Sequence, residues 1–307
     1  MVLMNRRDLL RFSTLYVLPS ACGCLGYAVG RFPQLFRRHE VGAGASVPED
    51  FAEVHALTST HAHTPTSWND PSARSTHFLQ DFPDDIFFAD RKFELLKSLA
   101  AKFRAVQGHV GHGYFNILGM DDFFGKAQRV PGIGAITAEE KIFLEEVFYF
   151  DAKKYGFQGD RTAPKFTDGI AQNSVEKVPF TGHYLRKGRP LETYGRITKD
   201  VGDSVILTSG VRGIAKQFHL FFERGLETQG NMSKASRSLA PPGYSFHGQS
   251  DFDIGKRGYG LKNFTDAFAS TREYRRLLDL GYIQIRYTEG NQLGVRFEPW
   301  HIRVAQG

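Results

Sequence analysis

Two stretches of this chain carry side chains that can bind a divalent metal and move a proton. The first, PPGYSFHGQSDFDIG, contains His247, Asp251 and Asp253, and the second, RFEPWHIR, contains Glu298 and His301. A hydrolytic zinc centre takes three protein ligands from imidazole and carboxylate and keeps a fourth position for water. It also needs a carboxylate close to that water to accept its proton. Together the two stretches offer two imidazoles, a ligand carboxylate and a spare carboxylate. Glu298 and His301 are three apart, so a regular strand would point them to opposite faces. Pro299 cannot donate to a strand ladder, and a local bend there is predicted to turn both side chains to one side. Taken singly, each stretch also reads as an ordinary ion-pair network.

Other donors are few. The two cysteines, Cys22 and Cys24, sit near the N terminus, so a metal in the body must be held by histidine and carboxylate. His61 and His63 lie in a polar stretch without acidic partners and read as solvated linker. His109 and His112 lie among glycines in GHVGHGYFNILGMDD and read as satisfied histidines of a packed turn.

The elements that must position these residues are legible in outline. Phe93, Leu96, Leu99, Ala100 and Phe103 recur at helical spacing and predict a helix over 90–106. Thr137 and Glu140 form a capping box that opens a second helix carrying Ile142, Phe143, Val147 and Phe150. A short strand at 204–207 precedes a helix over 214–227, and a second strand is predicted near 252–254. Asn263 or Thr265 caps a helix reaching Leu280, and the runs 282–288 and 294–304 read as a hairpin about the turn EGNQ. Short strands among non-alternating helices predict an α+β fold: a small antiparallel sheet flanked by helices, preceded by a mainly helical subdomain over 81–195.

With 307 residues and 41% apolar content the chain can bury a full core. The net charge of +6 is concentrated. Arg6, Arg7, Arg11, Arg31, Arg37 and Arg38 against Asp8 and Glu40 place four of those charges in residues 1–40. The remainder is too nearly neutral for a general phosphate-binding surface, which argues against a nucleic-acid partner. In NRRDLLRF a twin-arginine pair precedes an uncharged run from Phe12 to Gly30. Residues 1–30 therefore resemble a twin-arginine export signal, with a lipid anchor at Cys22 or an uncleaved membrane anchor as alternatives. Each places the body outside the cytoplasm, in the periplasm or cell envelope. Residues 31–80 read as an irregular lead-in.

Read with their flanks, ILTSGVRGIAKQ, SFHGQSDFDIG and GVRFEPWHIRV resemble the three sequence blocks of VanY-type D-alanyl-D-alanine carboxypeptidases of the LAS group of zinc peptidases. The resemblance implies a catalytic domain over 196–307. It implies that His247, Asp253 and His301 bind Zn2+, that Glu298 is the catalytic base, and that Arg212 meets the substrate carboxylate or the developing oxyanion. Gln217, Ser245 and Trp300 match substrate-site positions of the family. The family pattern SxHxxGxAxD spaces its histidine and aspartate seven apart, whereas His247 and Asp253 are six apart. Asp251 is thus a rival ligand, and Asp253 is favoured because Ile254 and Gly255 complete the family's DIG ending.

The implied activity is hydrolysis of the terminal D-Ala-D-Ala bond of peptidoglycan stem peptides. Alternatives are an endopeptidase or L,D-carboxypeptidase of the same group, and a non-catalytic wall-binding relative.

Overall fold

Apolar residues at three- and four-residue intervals build the N-terminal half of the structure, a computed structural model that describes residues 70–304. The twin-arginine segment, both cysteines, His61 and His63 lie outside the described residues. Helix α1 (Pro71–Thr76) is capped by Asp70, which accepts from the Ser72 amide. Helix α2 (Asp90–Val110) turns Leu95, Leu96, Leu99, Ala100, Phe103 and Val106 inward. It runs one turn further than its sequence predicts. Gly108 continues the helix, which ends at Gly111 with φ 83°, so His109 is an exposed last-turn residue rather than part of a packed turn. A single turn, α3 (His112–Phe115), and helix α4 (Met120–Arg129) follow. Helix α5 (Ala138–Tyr149) carries the expected capping box: Thr137 Oγ1 accepts from the Glu140 amide, and Glu140 Oε2 accepts from the Thr137 amide.

Next comes an element absent from the sequence expectation, a hairpin of β1 (Val175–Val178) and β2 (His183–Arg186). Helix α6 (Arg189–Val201) leads to β3 (Val205–Ser209), and α7 (Ile214–Glu227) and α8 (Met232–Ser236) follow. Strand β4 (Phe252–Lys256) pairs antiparallel with β3 on one side and with the two-residue β5 (His301–Ile302) on the other. The α+β class is as expected, with small antiparallel sheets among helices.

Two expected elements differ. The helix over 263–280 is three pieces: 3-10 turns at Gly260–Phe264 and Asp266–Ser270, then α9 (Arg272–Asp279) capped by Thr271. Thr265 and Thr271 are both extended, and each hydroxyl bonds the carbonyl three residues back, which closes one turn before the next begins. The predicted hairpin over 282–304 reduces to an Ile285–Ile302 bridge with isolated bonds such as Glu298 N to Tyr287 O. Asn291 closes its loop by donating to the Thr288 and Val295 carbonyls, and the turn at Pro299 interrupts the ladder.

The described residues belong to one compact unit. A phenylalanine-rich core lies between α2, α4, α5 and α7, with Phe103 stacked on Phe123 at 4.1 Å and Phe218 edge-on to Phe222 at 5.4 Å. A second core under the three-stranded sheet gathers Val205, Leu207, Phe252, Ile254, Leu277, Trp300 and Ile302. No helix among the described residues is long and apolar enough to cross a membrane.

Candidate metal centre

Side chains alternate along a strand, and β4 uses that alternation to separate core from chemistry. Phe252 and Ile254 enter the second core while Asp253 takes the other face. The sheet register sets Asp253 opposite Ser209 on β3 and opposite His301 on β5. Directly opposed residues have neighbouring Cβ atoms, so pairing alone brings an aspartate and a histidine 48 positions apart in the chain to one point.

His247 arrives from a different element, the 3-10 turn Phe246–Gly248, which Ser245 precedes as N-cap residue. Its Nδ1 lies 2.8 Å from the Gly210 carbonyl. Donation there leaves Nε2 as the lone-pair nitrogen, and Nε2 is 3.2 Å from Asp253 Oδ1. His301 Nδ1 is 3.3 Å from the same oxygen. One donor atom from each of His247, Asp253 and His301 falls within 4.8 Å of the others, and all three residues are buried. His247 Nε2 and Asp253 Oδ1 are close but not aligned for a hydrogen bond, and both are buried without a hydrogen-bond partner. Orphaned buried polar atoms are costly, and two of them aimed at one point fit a metal ion.

The bend expected at Pro299 is present. The His301 amide donates to the Glu298 carbonyl at 3.1 Å, closing a tight turn that places Glu298 Oε2 3.6 Å from His301 Nδ1. Burial pushes the Glu298 carboxyl up to about 7, against the pull of His301 and Arg296. Burial also lowers His247 to about 4, with Arg212 adding to the effect. For Asp253 burial acts upward, but His247 and Arg212 outweigh it and hold the carboxyl well below its ordinary range. For His301 burial acts downward, but Asp251 and Asp253 outweigh it and raise the imidazole to about 9. Without a metal the centre therefore presents one neutral and one charged imidazole, one firm carboxylate and one carboxyl with proton affinity near neutrality.

Arg212 donates from Nη2 to Asp253 Oδ2 at 2.6 Å and from Nε to Ser209 Oγ at 2.9 Å. It thereby turns Oδ1 toward the histidines. Gln217 uses both ends of its amide, donating to the Arg212 carbonyl and accepting from the Gly243 amide, so it ties the arginine loop to the loop before His247. Trp300 is buried in the second core, with Phe264 edge-on and Arg296 over its ring at 5.0 Å. Ser245 is buried two residues from His247. Asp251, the rival ligand, is not in the three-ligand group; it binds His301 Nε2 and Arg286 instead.

The hairpin β1–β2 supplies what sequence reasoning missed. Val211 N donates to the Tyr184 carbonyl and Arg186 Nη2 to the Gly248 carbonyl at 2.6 Å, so the hairpin grips both histidine- and arginine-bearing loops. A Cβ at Gly210 would lie 2.0 Å from the Tyr184 carbonyl oxygen, which is why this loop needs glycine. His183 lies 3.4 Å from Asn116, and burial, helped by His112 and Arg212, pushes it down to about 3. The run Val175–Val178, followed after PFTG by His183–Leu185, was the available signal.

Residues 191–306 match the family VanY: D-alanyl-D-alanine carboxypeptidase, which bears out the resemblance read from the sequence for that region. No curated protein matches the chain. Three solved structures are similar over a minority of this chain. The LdcB LD-carboxypeptidase, whose structure concerns peptidoglycan recognition, is 23% identical over 42% of this chain and 62% of its own, with a TM-score of 0.35. A mutant VanY D,D-pentapeptidase in complex with Zn(II) is 25% identical over 42% of this chain and 76% of its own, with a TM-score of 0.33. VanYB in complex with D-alanine-D-alanine is 25% identical over 42% and 75%, also at 0.33. This chain thus spans less than two thirds of the LdcB chain.

Proposed function

We propose that this chain is a zinc-dependent carboxypeptidase that removes the terminal D-alanine from peptidoglycan stem peptides, with the family match over 191–306 as its starting point. The observation that carries it is the convergence of His247, Asp253 and His301 on one point, with Glu298 alongside. Two imidazoles and one carboxylate are a ligand set of catalytic zinc. When bound, zinc would acidify a coordinated water and polarise the scissile carbonyl.

The remaining work falls to the chain's own residues. Glu298 takes the proton of the attacking water and returns it to the leaving amine. Its burial gives it the proton affinity a general base needs near neutral pH. Asp253 stays ionised as a ligand because Arg212 and the histidines hold its charge. Arg212 has five N–H donors, and its bonds to Ser209 and Asp253 engage Nε and Nη2. We assign its charge to the substrate carboxylate or the developing oxyanion. Ser245 borders the His247 turn as a substrate contact, and Gln217 and Trp300 hold the site from behind. Because stem peptides lie outside the cytoplasm, the proposal includes export directed by the N-terminal segment, as a cleaved signal or as an anchor.

The test is D-alanine release from a pentapeptide stem by the wild-type chain and by Glu298→Gln, with zinc content measured in both. Release by the wild type, and zinc retention without release by the variant, support the reading. Normal release by Glu298→Gln rejects the base assignment. Separated cross-linked strands instead of free alanine would establish an endopeptidase.

A further inference from the structure

The aspartate that competed on paper for the metal does something else in the fold. Asp251 is buried, and donors surround its carboxylate. Oδ2 lies 3.0 Å from His301 Nε2 and 2.6 Å from Arg286 Nε; Oδ1 lies 3.2 Å from Arg286 Nη2 and 3.0 Å from the Val304 amide. A carboxylate has about four lone-pair directions, and these four contacts engage them. Asp251 therefore has nothing left to offer a metal, although it sits only two residues from Asp253.

The arrangement fixes which nitrogen His301 offers. With Nε2–H held by Asp251, Nδ1 is the nitrogen left to give a lone pair to a metal, and it lies 3.3 Å from Asp253 Oδ1 and 3.6 Å from Glu298 Oε2. The carboxylate is itself clamped. Arg286 meets it with two N–H groups while its guanidinium stacks over the Phe246 ring at 3.5 Å. The Ile285–Ile302 bridge and the Arg303 N to Gln284 O bond pin the backbone on either side. Phe246 precedes His247, so the same arginine braces the turn that carries the other imidazole.

We propose that Asp251, clamped by Arg286, is a positioning residue that orients His301 for the metal by holding its Nε2–H, and is not itself a ligand. The pattern SxHxxGxAxD has alanine two places before its metal aspartate, whereas this chain has Asp251 there, so the device belongs to this chain rather than to the motif. Hydrogen-bonded partners of metal-bound histidines are worth 10- to 100-fold in metal affinity. The inference rests on the metal reading above.

The test is the zinc dissociation constant of the full chain, measured by chelator competition for wild type, Asp251→Asn and Asp251→Ala, with apo-protein melting as the folding control. Asp251→Ala is expected to weaken zinc about 10- to 100-fold. Asp251→Asn, which keeps an acceptor oxygen and the volume, is expected to lose less. In the zinc-loaded variants kcat falls while KM stays near the wild-type value, a split that loose packing alone would not produce. Should Asp251→Ala fail to fold, Asp251→Asn decides: weakened zinc binding supports the role. Zinc affinity equal to wild type in a folded variant overturns it, whatever the melting curve does. No zinc uptake by the wild type overturns this inference and the metal reading together. Tight zinc without alanine release would reject the carboxypeptidase while leaving the result for Asp251 readable.

Discussion

The helical half of this chain buries an aromatic core, whereas the sheet half buries a dense ionisable cluster beside an apolar core of its own. Between α2 and α7 the interior is phenylalanine, with Phe103, Phe123, Phe218 and Phe222 stacked face to face or edge to face. Charged side chains buried around it are paired, as where Lys102 bonds Glu140 and Arg237 bonds Asp85. Around the three-stranded sheet, His247, Asp251, Asp253, Glu298 and His301 are all buried. Buried ionisable groups are expensive unless paired, so the second region needs rigid support, from the core under its sheet and from the aromatic core. Helix α7 connects the two: its Phe218, Phe221 and Phe222 lie in the aromatic core, while Gln217 braces the arginine loop at its N terminus. One half provides stability, and the other uses it to hold charges at fixed positions.

Substitutions can break that division of labour, and the largest effect should fall on chemistry alone. Glu298→Gln is expected to lower turnover roughly 10²–10⁴-fold, the range for a lost general base, with zinc content unchanged. A variant that also lost zinc would place Glu298 among the ligands. Phe218→Ala should do the reverse. Removing a fully buried ring from the aromatic core is expected to cost about 3–5 kcal/mol of unfolding free energy, read by urea denaturation, while the protein that remains folded keeps its zinc.

Buried His219 on α7 sharpens the comparison through pH. Burial first, then Lys216, Arg104 and His112, lowers it to about 3, while Glu223 lies 3.7 Å away. The unfolded chain takes that proton near pH 6.5 and the folded chain does not. Its stabilising contribution is complete above about pH 6.5 and is lost as pH falls toward 3, with a slope of at most about 1.4 kcal/mol per pH unit. His219→Gln should flatten that part of the stability curve, and an unchanged slope would contradict it. The smallest effect is at the rim: Thr137→Ala removes the α5 cap and should cost about 1 kcal/mol without touching activity.

What could be read from residues alone followed the strength of local signals. The capping box at Thr137 and the period of α2 were legible because propensity and burial agree there. The grouping of His247, Asp253 and His301 came from the family resemblance, and Pro299 marked only the bend that brings Glu298 beside His301. Spacing alone did not separate Asp251 from Asp253, and only the family's DIG ending favoured Asp253, which is the one found with the two histidines. In the fold, the cross-strand register with His301 and the clamp from Arg286, 35 positions along the chain, separate them. The β1–β2 hairpin was missed because its strands are four residues each and pair only with one another. The broken segment 260–279 was missed because threonine hydroxyls, not proline or glycine, end its turns.

The claim on which the rest depends is that two stretches of chain meet at one metal ion. Native mass spectrometry of the full chain, with His247→Ala and His301→Ala beside the wild type, measures it directly. One zinc per wild-type chain and none in either variant is the predicted result. Full zinc occupancy in either single variant would show that the two histidines do not share an ion, and would contradict the account.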